Sequence, residues 1–196
     1  MNPTLQRRLS KASFRFGYGS HALDLAVTLR RRASEPVELL ATTDDAARWL
    51  AAAGIVKEAP RLAESDLGEL RQLRDAVYRI GCAATKRQTP ASADLRILNQ
   101  MARRSDAVPQ LDDDWSVRAQ RSAVFDSALA AIARDAIEIF GNEEQRAHLR
   151  TCEQDDCAGL FLDRSRGERR RWCSMARCGS RAKVAAFRKR QKEEKS

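Results

Sequence analysis

Four cysteines carry the most legible chemistry in this chain. Cys152 and Cys157 have four residues between them, Cys173 and Cys178 again have four, and fifteen residues separate the two pairs. Thiolates are soft donors. Two short knuckles, each presenting two sulfurs across such a loop, supply the tetrahedral set that Zn²⁺ takes in structural sites. A gap of four is at the wide end of the common range, so its repetition on both sides is what makes the pattern specific. A catalytic zinc keeps an open position and usually draws on His or carboxylate. No His lies between Cys152 and Cys178, and the nucleobase-deaminase pattern of Cys-x-x-Cys with a His/Cys-x-Glu partner is missing. The expectation is one structural Zn²⁺ held by Cys152, Cys157, Cys173 and Cys178. His148, just before the first knuckle, reads as a surface helical residue. Cys82, inside an apolar helical pattern, reads as a small buried hydrophobe.

Charge is distributed unevenly around this site. Residues 1–149 hold 22 Lys/Arg against 20 Asp/Glu, whereas residues 150–196 hold 14 against 7. Even after four thiolates and one Zn²⁺ are counted, the C-terminal part stays basic. A basic tail on a near-neutral body points to a polyanion partner for the tail alone. A run of charge is often only a solvated face, but here it is one-signed, Arg-rich and mounted on a metal-braced scaffold. Arg169, Arg170, Arg171, Arg177, Arg181, Lys183 and Arg188 are therefore candidate nucleic-acid contacts. Most would touch phosphate, which positions without specifying. Ser180, Arg181 and Lys183, at the start of the last helix, are placed for any base readout.

The elements that position these residues are mostly helical. Aromatic residues make up only 6% of the chain, which favours a Leu/Ala-packed body. Residues 1–19 read as a flexible tail. A helix follows from Ser20 with Ala22, Leu25, Ala26 and Leu29 inward, running to Arg30-Arg31-Arg32, where basic residues suit the dipole's negative end. Thr42 or Thr43 caps a second helix with Asp44 and Asp45 in its first turn, and Gly54 ends it. Ser65-Asp66 opens a third with Leu70, Leu73, Val77, Ile80 and Ala84 at three- and four-residue steps. A fourth follows Pro90 with Leu95, Leu98 and Met101 inward, then a short hairpin between Asp106 and Arg118. A fifth runs from Ser122 to Phe140, with Phe125, Leu129, Ile132, Ala136, Ile137 and Phe140 on one face. After Cys157, the runs 159–163 and 169–173 look like two strands around the turn 164–167, and a basic helix starts near Ser180. The fold class is thus mainly α: a helical domain over 20–145, then a small treble-clef or zinc-ribbon-like α+β module over 150–192. Such a module is too small to bury enough apolar surface alone, so metal supplies much of its folding energy.

The stretch Cys157-Ala-Gly-Leu-Phe-Leu-Asp-Arg-Ser-Arg166, with Arg171-Trp-Cys-Ser-Met-Ala-Arg-Cys-Gly-Ser-Arg-Ala-Lys183, closely resembles the CGNR zinc-finger family. Ala22-Leu-Asp-Leu-Ala-Val-Thr28 resembles the Leu-Asp-x-x-Asn-Thr motif that opens the helical ABATE domain preceding that finger. The resemblance implies a stress-induced bacterial transcription regulator whose finger holds zinc and DNA. Two positions depart from the family pattern: Ser180 stands for the Asn of Cys-Gly-Asn-Arg, and Val27 for the Asn of the front motif.

Asp24 and Thr28 are four apart on one helical face, which makes them either a ligand-contacting pair or a hydrogen-bonded structural pair. Asp112-Asp113-Asp114 reads as a solvated loop rather than a cation site, because adjacent carboxylates diverge. The sequence contains no nucleophile elbow and no glycine-rich phosphate loop, so the chain reads as a binding protein rather than an enzyme. Without an apolar run long enough for a bilayer or a secretory segment, it is expected in the cytoplasm and off the membrane. The first reading is a zinc-dependent, duplex-DNA-binding regulator whose body senses a small molecule or protein, with a homodimer conceivable. The alternative is an RNA-binding or protein-docking zinc-ribbon adaptor.

Overall fold

The body is built from amphipathic segments whose ends are set by local chemistry. The computed structural model describes residues 14–104, 110–111, 113–115, 117–118 and 121–193. Helix α1 (His21–Ala26) begins where Ser20 Oγ accepts from the Leu23 amide at 3.2 Å. It ends six residues later, shorter than the periodicity suggests. Thr28 turns its hydroxyl back onto the Leu25 carbonyl at 2.7 Å, so a β-branched side chain competes with the next helical turn. The chain instead enters β1 (Leu29–Arg30), which pairs antiparallel with β2 (Val37–Glu38).

Helix α2 (Thr43–Ala52) starts on a capping box. Thr42 Oγ1 accepts from the Asp45 amide at 3.1 Å, and Asp45 Oδ2 accepts from the Thr42 amide at 3.0 Å, satisfying two orphan donors together. Helices α3 (Glu64–Thr85), α4 (Ser92–Ala102) and α5 (Arg121–Gly141) pack against one another, and α3 and α5 also pack against α1. Their shared core contains Trp49, Leu50, Leu70, Leu73, Val77, Leu129 and Ile132. Leu95 and Ile137, expected inward, lie at the margins of their helices' packed faces and are partly exposed. The hairpin expected between residues 106 and 118 is present as β3 (Gln110–Leu111) against β4 (Val117–Arg118). In the acidic triplet Asp113 and Asp114 are exposed, and Asp112 lies outside the described residues.

Two local expectations are corrected. Residues 14–19 are not a loose tail: Phe14 packs on the core, Phe16 stacks on Trp49 with centroids 6.4 Å apart, and Tyr18 is buried. Three aromatic side chains at alternating positions anchor this segment; residues 1–13 of the expected tail lie outside the described residues. The second correction concerns the C-terminal strands. After α6 (Glu143–Ala147), β5 (Leu149–Thr151) pairs antiparallel with β6 (Leu160–Leu162) across the first knuckle, in place of a 159–163/169–173 hairpin. All three β6 residues are buried, which three consecutive arginines at 169–171 could not match. The 169–171 segment is held by single bonds instead: Arg170 N donates to Asp163 Oδ2 at 2.8 Å, and Glu153 N to the Arg171 carbonyl at 2.9 Å. A π-turn (Met175–Gly179) then leads into α7 (Ser180–Glu193).

The C-terminal module shares a core with the body. Leu149, Leu160, Phe161 and Leu162 cluster with Tyr18, Leu23 and Val27 from the start of the body, with Ile139 of α5, and with three of the zinc-type cysteines. Gly81 of α3 makes this close approach possible: a Cβ there would lie 2.4 Å from Leu160 Cδ1.

Candidate metal centre and the arginine-lined junction

The two knuckles converge on one point. Cys157 Sγ lies 3.6 Å from Cys173 Sγ, which lies 3.6 Å from Cys178 Sγ, and all four sulfurs fall within 4.8 Å of one another. Zn–S bonds of about 2.3 Å in a tetrahedron place sulfurs roughly 3.8 Å apart. All five cysteines of the chain are free. Without a cation the sulfurs cannot all ionise together. Hydrogen bonds from Cys157 and Cys173 draw the Cys152 thiol far below its ordinary range, while the same contacts with Cys152 push Cys173 up and Cys157 up to about 12. A divalent cation removes that conflict, since coordinated thiols are deprotonated outright. The donor set and its spacing fit one structural Zn²⁺ with no open position. Cys82 stands apart, packed at the edge of the shared core on α3.

Several candidate basic residues brace this centre. Arg170 donates through Nε to the Trp172 carbonyl at 2.9 Å and through Nη2 to the Cys173 carbonyl, with its guanidinium 4.9 Å from the Phe161 ring centroid. Arg171 donates to Glu153 at 2.6 Å across the knuckles and lies over Trp172. Arg181 donates to Asp156 at 2.7 Å and approaches the Cys178 sulfur at 3.5 Å. Ser180 is the first residue of α7, and its hydroxyl donates back to the Met175 carbonyl at 3.3 Å. Arg169, Arg177, Lys183 and Arg188 are exposed. Helix α7 also exposes Val184 and Phe187, and the turn before it exposes Met175.

Asp24 and Thr28 are both buried. Asp24 Oδ1 accepts from the Tyr18 amide at 2.9 Å, tying the aromatic N-terminal segment to α1. Burial pushes this carboxyl up, opposed by the amides of Tyr18 and Gly17. Thr28 is occupied by the α1 end. Neither lines the cavity beside them; Val27, between them, does.

That cavity, of about 550 Å³, lies where α1, β1 and the second knuckle meet. Six arginines line it: Arg15, Arg30, Arg31, Arg32, Arg177 and Arg181. Its apolar wall includes Val27, Leu29, Val37 and Tyr78. Sequence reading picked out Arg177 and Arg181 but not the body's contribution. The available signal was the Arg30-Arg31-Arg32 run, whose charges serve the cavity rather than a helix end. Ties between body and module surround it: Tyr78 Oη donates to the Ala158 carbonyl at 3.1 Å, and Asp156 faces Arg31 at 3.5 Å as well as Arg181.

A helical body joined to a four-cysteine, short-stranded module with a basic terminal helix defines a zinc-finger protein with an appended, mainly helical domain. Residues 19–143 match the ABATE family, described as "Putative stress-induced transcription regulator", and residues 148–191 match the CGNR zinc finger. The chain belongs to the ABATE family and carries a CGNR zinc finger at its C-terminal side. No curated protein matches the chain. Among the described residues no helix is long and apolar enough to cross a membrane.

Proposed function

We propose that this protein is a zinc-dependent transcription regulator of the bacterial cytoplasm, without enzymatic activity, whose C-terminal module binds duplex DNA while the helical body senses a ligand or partner. The observation that carries the reading is the exposed basic excess on the metal-braced module: Arg169 ahead of the second knuckle, Arg177 within it, and Lys183 and Arg188 on α7 are all exposed. A helix presented on a rigid base fits a DNA groove, and guanidinium and ammonium groups along it neutralise phosphates. Arg170, Arg171 and Arg181 contribute by holding the base of that helix, with part of their charge still facing outward. The matched families, a transcription-regulator type and a zinc-finger type, agree with it.

The test is a titration of zinc-loaded protein with duplex DNA at several salt concentrations. Log K falls against log salt with a slope of about −0.9 per phosphate neutralised, and Arg188→Ala reduces the slope by about one contact. A flat salt response sinks the reading. Point variants serve better than truncation at residue 149, which would uncover Leu23 and Ile139. A second reading, a protein-docking or RNA-binding adaptor, is favoured by the exposure of Met175, Val184 and Phe187. Under it, replacing Val184 and Phe187 by Ser abolishes partner capture or self-association and leaves the salt slope unchanged.

A further inference from the structure

We propose that the arginine-lined cavity between the body and the second knuckle binds a small organic anion, a carboxylate or phosphate ester carrying an apolar or aromatic group. Its volume of about 550 Å³ lies within the range of small-molecule sites. The lining includes an apolar wall from Val27, Leu29, Val37 and Tyr78 and a cationic side from six arginines, with no Asp or Glu; Cys157, one of the four zinc-type thiols, also borders it. Carboxylates stand behind the wall. Asp75 pairs with Arg32 at 2.8 Å, and Asp156 is shared between Arg31 and Arg181. Burial above all, with smaller contributions from the charges of Arg15 and Arg177 and against an upward pull from Tyr18, brings the Arg30 guanidinium down to about 10, so it stays charged near neutral pH. An anion in the cavity lowers the positive potential that Arg30 feels from Arg15 and Arg177, and the planar fork of each guanidinium suits bidentate contact with a carboxylate or phosphate.

The backbone at the rim supports a built site. Arg31 and Ala158 both hold left-handed φ angles, 55° and 50°, which non-glycine residues adopt at a cost and which cluster where function requires them. Ala158 at this angle presents its carbonyl to Tyr78; Arg31 at this angle reaches Asp156. The cavity is walled by the body on one side and by Arg177, Ser180 and Arg181 on the other. A bound anion therefore clamps the start of α7 to the body. That coupling rests on the regulator reading given above; binding of the anion does not.

The test uses the full, zinc-loaded chain and calorimetric titration with phenyl phosphate, benzoate, inorganic phosphate and neutral benzyl alcohol. Phenyl phosphate, benzoate or both are expected to saturate with a Kd below about 1 mM. Benzyl alcohol should not bind, and inorganic phosphate should bind at least about fivefold more weakly for want of the apolar wall. The tighter of the two aromatic anions identifies the headgroup. Arg30→Gln and Arg177→Gln should each weaken binding by about tenfold or more, with zinc content and melting temperature unchanged, while Lys57→Gln has no effect. Arg15→Gln, at the cavity edge, provides a second variant if either of the first two loses zinc. No saturable binding by any of the anions up to about 10 mM, or equal binding by wild type and the arginine variants, overturns the site. So does a weakened duplex-DNA affinity in Arg30→Gln with no anion bound, which would make Arg30 part of a DNA groove. Anion binding without DNA binding sinks the regulator reading alone; DNA binding without anion binding sinks this site alone.

Discussion

The helical body and the zinc module stabilise themselves by opposite means. In the body, four long helices and α1 enclose Trp49, Leu70, Leu73, Val77, Leu129 and Ile132, and no zinc-type cysteine enters that cluster. In the module the buried apolar residues are few, and their cluster is completed by Tyr18, Leu23, Val27 and Ile139 of the body. One region has a core of its own; the other has four sulfurs and a borrowed half-core. The contrast explains how a module with two three-residue strands holds its shape. Metal ties the knuckles to each other, and β6 ties them to the body.

Breaking the metal should have the largest effect. Cys173→Ser, or chelation of the native protein, removes a contribution of about 10 kcal/mol to the folding of the module. The expected result is zero zinc by elemental analysis and loss of salt-dependent DNA binding, while most of the helical circular dichroism persists because the body core contains no ligand. Collapse of the whole helical signal would show instead that the body depends on the metal.

Leu160→Ala probes the borrowed core. A fully buried leucine typically costs about 3 kcal/mol on truncation, and Leu160 is completely buried beside Gly81. Zinc stays bound, but the melting transition of the helices drops along with that of the module. An unchanged helical transition would separate the two regions energetically. Gly81→Ala asks the same question from the other side. Alanine in a helix favours folding by about 0.5–1 kcal/mol, and overpacking against Leu160 costs about 1–3. The clash should win, for a net loss of about 1 kcal/mol. In the double variant Leu160→Ala/Gly81→Ala the added methyl meets a vacated space, so the loss should be less than the sum.

Acid should have the smallest effect. Burial would raise the Asp75 carboxyl, but hydrogen bonds from Arg32 and Arg74 overcome it and hold the group below its ordinary range. The folded state therefore favours the ionised form. The stability this contributes is complete above the unfolded carboxyl range, near pH 4, and is lost as pH falls through the depressed folded value. Thermal melts of wild type and Asp75→Asn, compared from pH 7 downward, should converge in acid. Divergence instead would exclude the Arg32–Asp75–Arg74 arrangement. Thiolate protonation, which also releases zinc in acid, affects both proteins and cancels in the comparison.

Much of this arrangement could be read from local patterns. The cysteine spacing announced the zinc site because a knuckle is a short-range object. The helices announced themselves by apolar periodicity, and the start of α2 by Thr42 or Thr43 ahead of Asp44 and Asp45. Readings failed where a distant partner decided. Phe14, Phe16 and Tyr18 looked like tail until a core was available for them, and Arg169-Arg170-Arg171 looked like a strand until Leu149–Thr151 outcompeted it for β6. Asp24 and Thr28 read as either a ligand-contacting or a hydrogen-bonded structural pair, and each bonds backbone groups of its own neighbourhood.

By itself, then, the sequence determined what depends on neighbours within a turn or a knuckle: a mainly helical body, four zinc-competent thiols, and a basic terminal helix. Only the tertiary structure decided that the finger shares its core with the body, and that Arg15, Arg30 and Arg31 meet Arg177 and Arg181 around one cavity. Those residues are separated by well over a hundred positions in the chain. The packing of β6 against Gly81 brings them together, and no pattern of spacing encodes that contact.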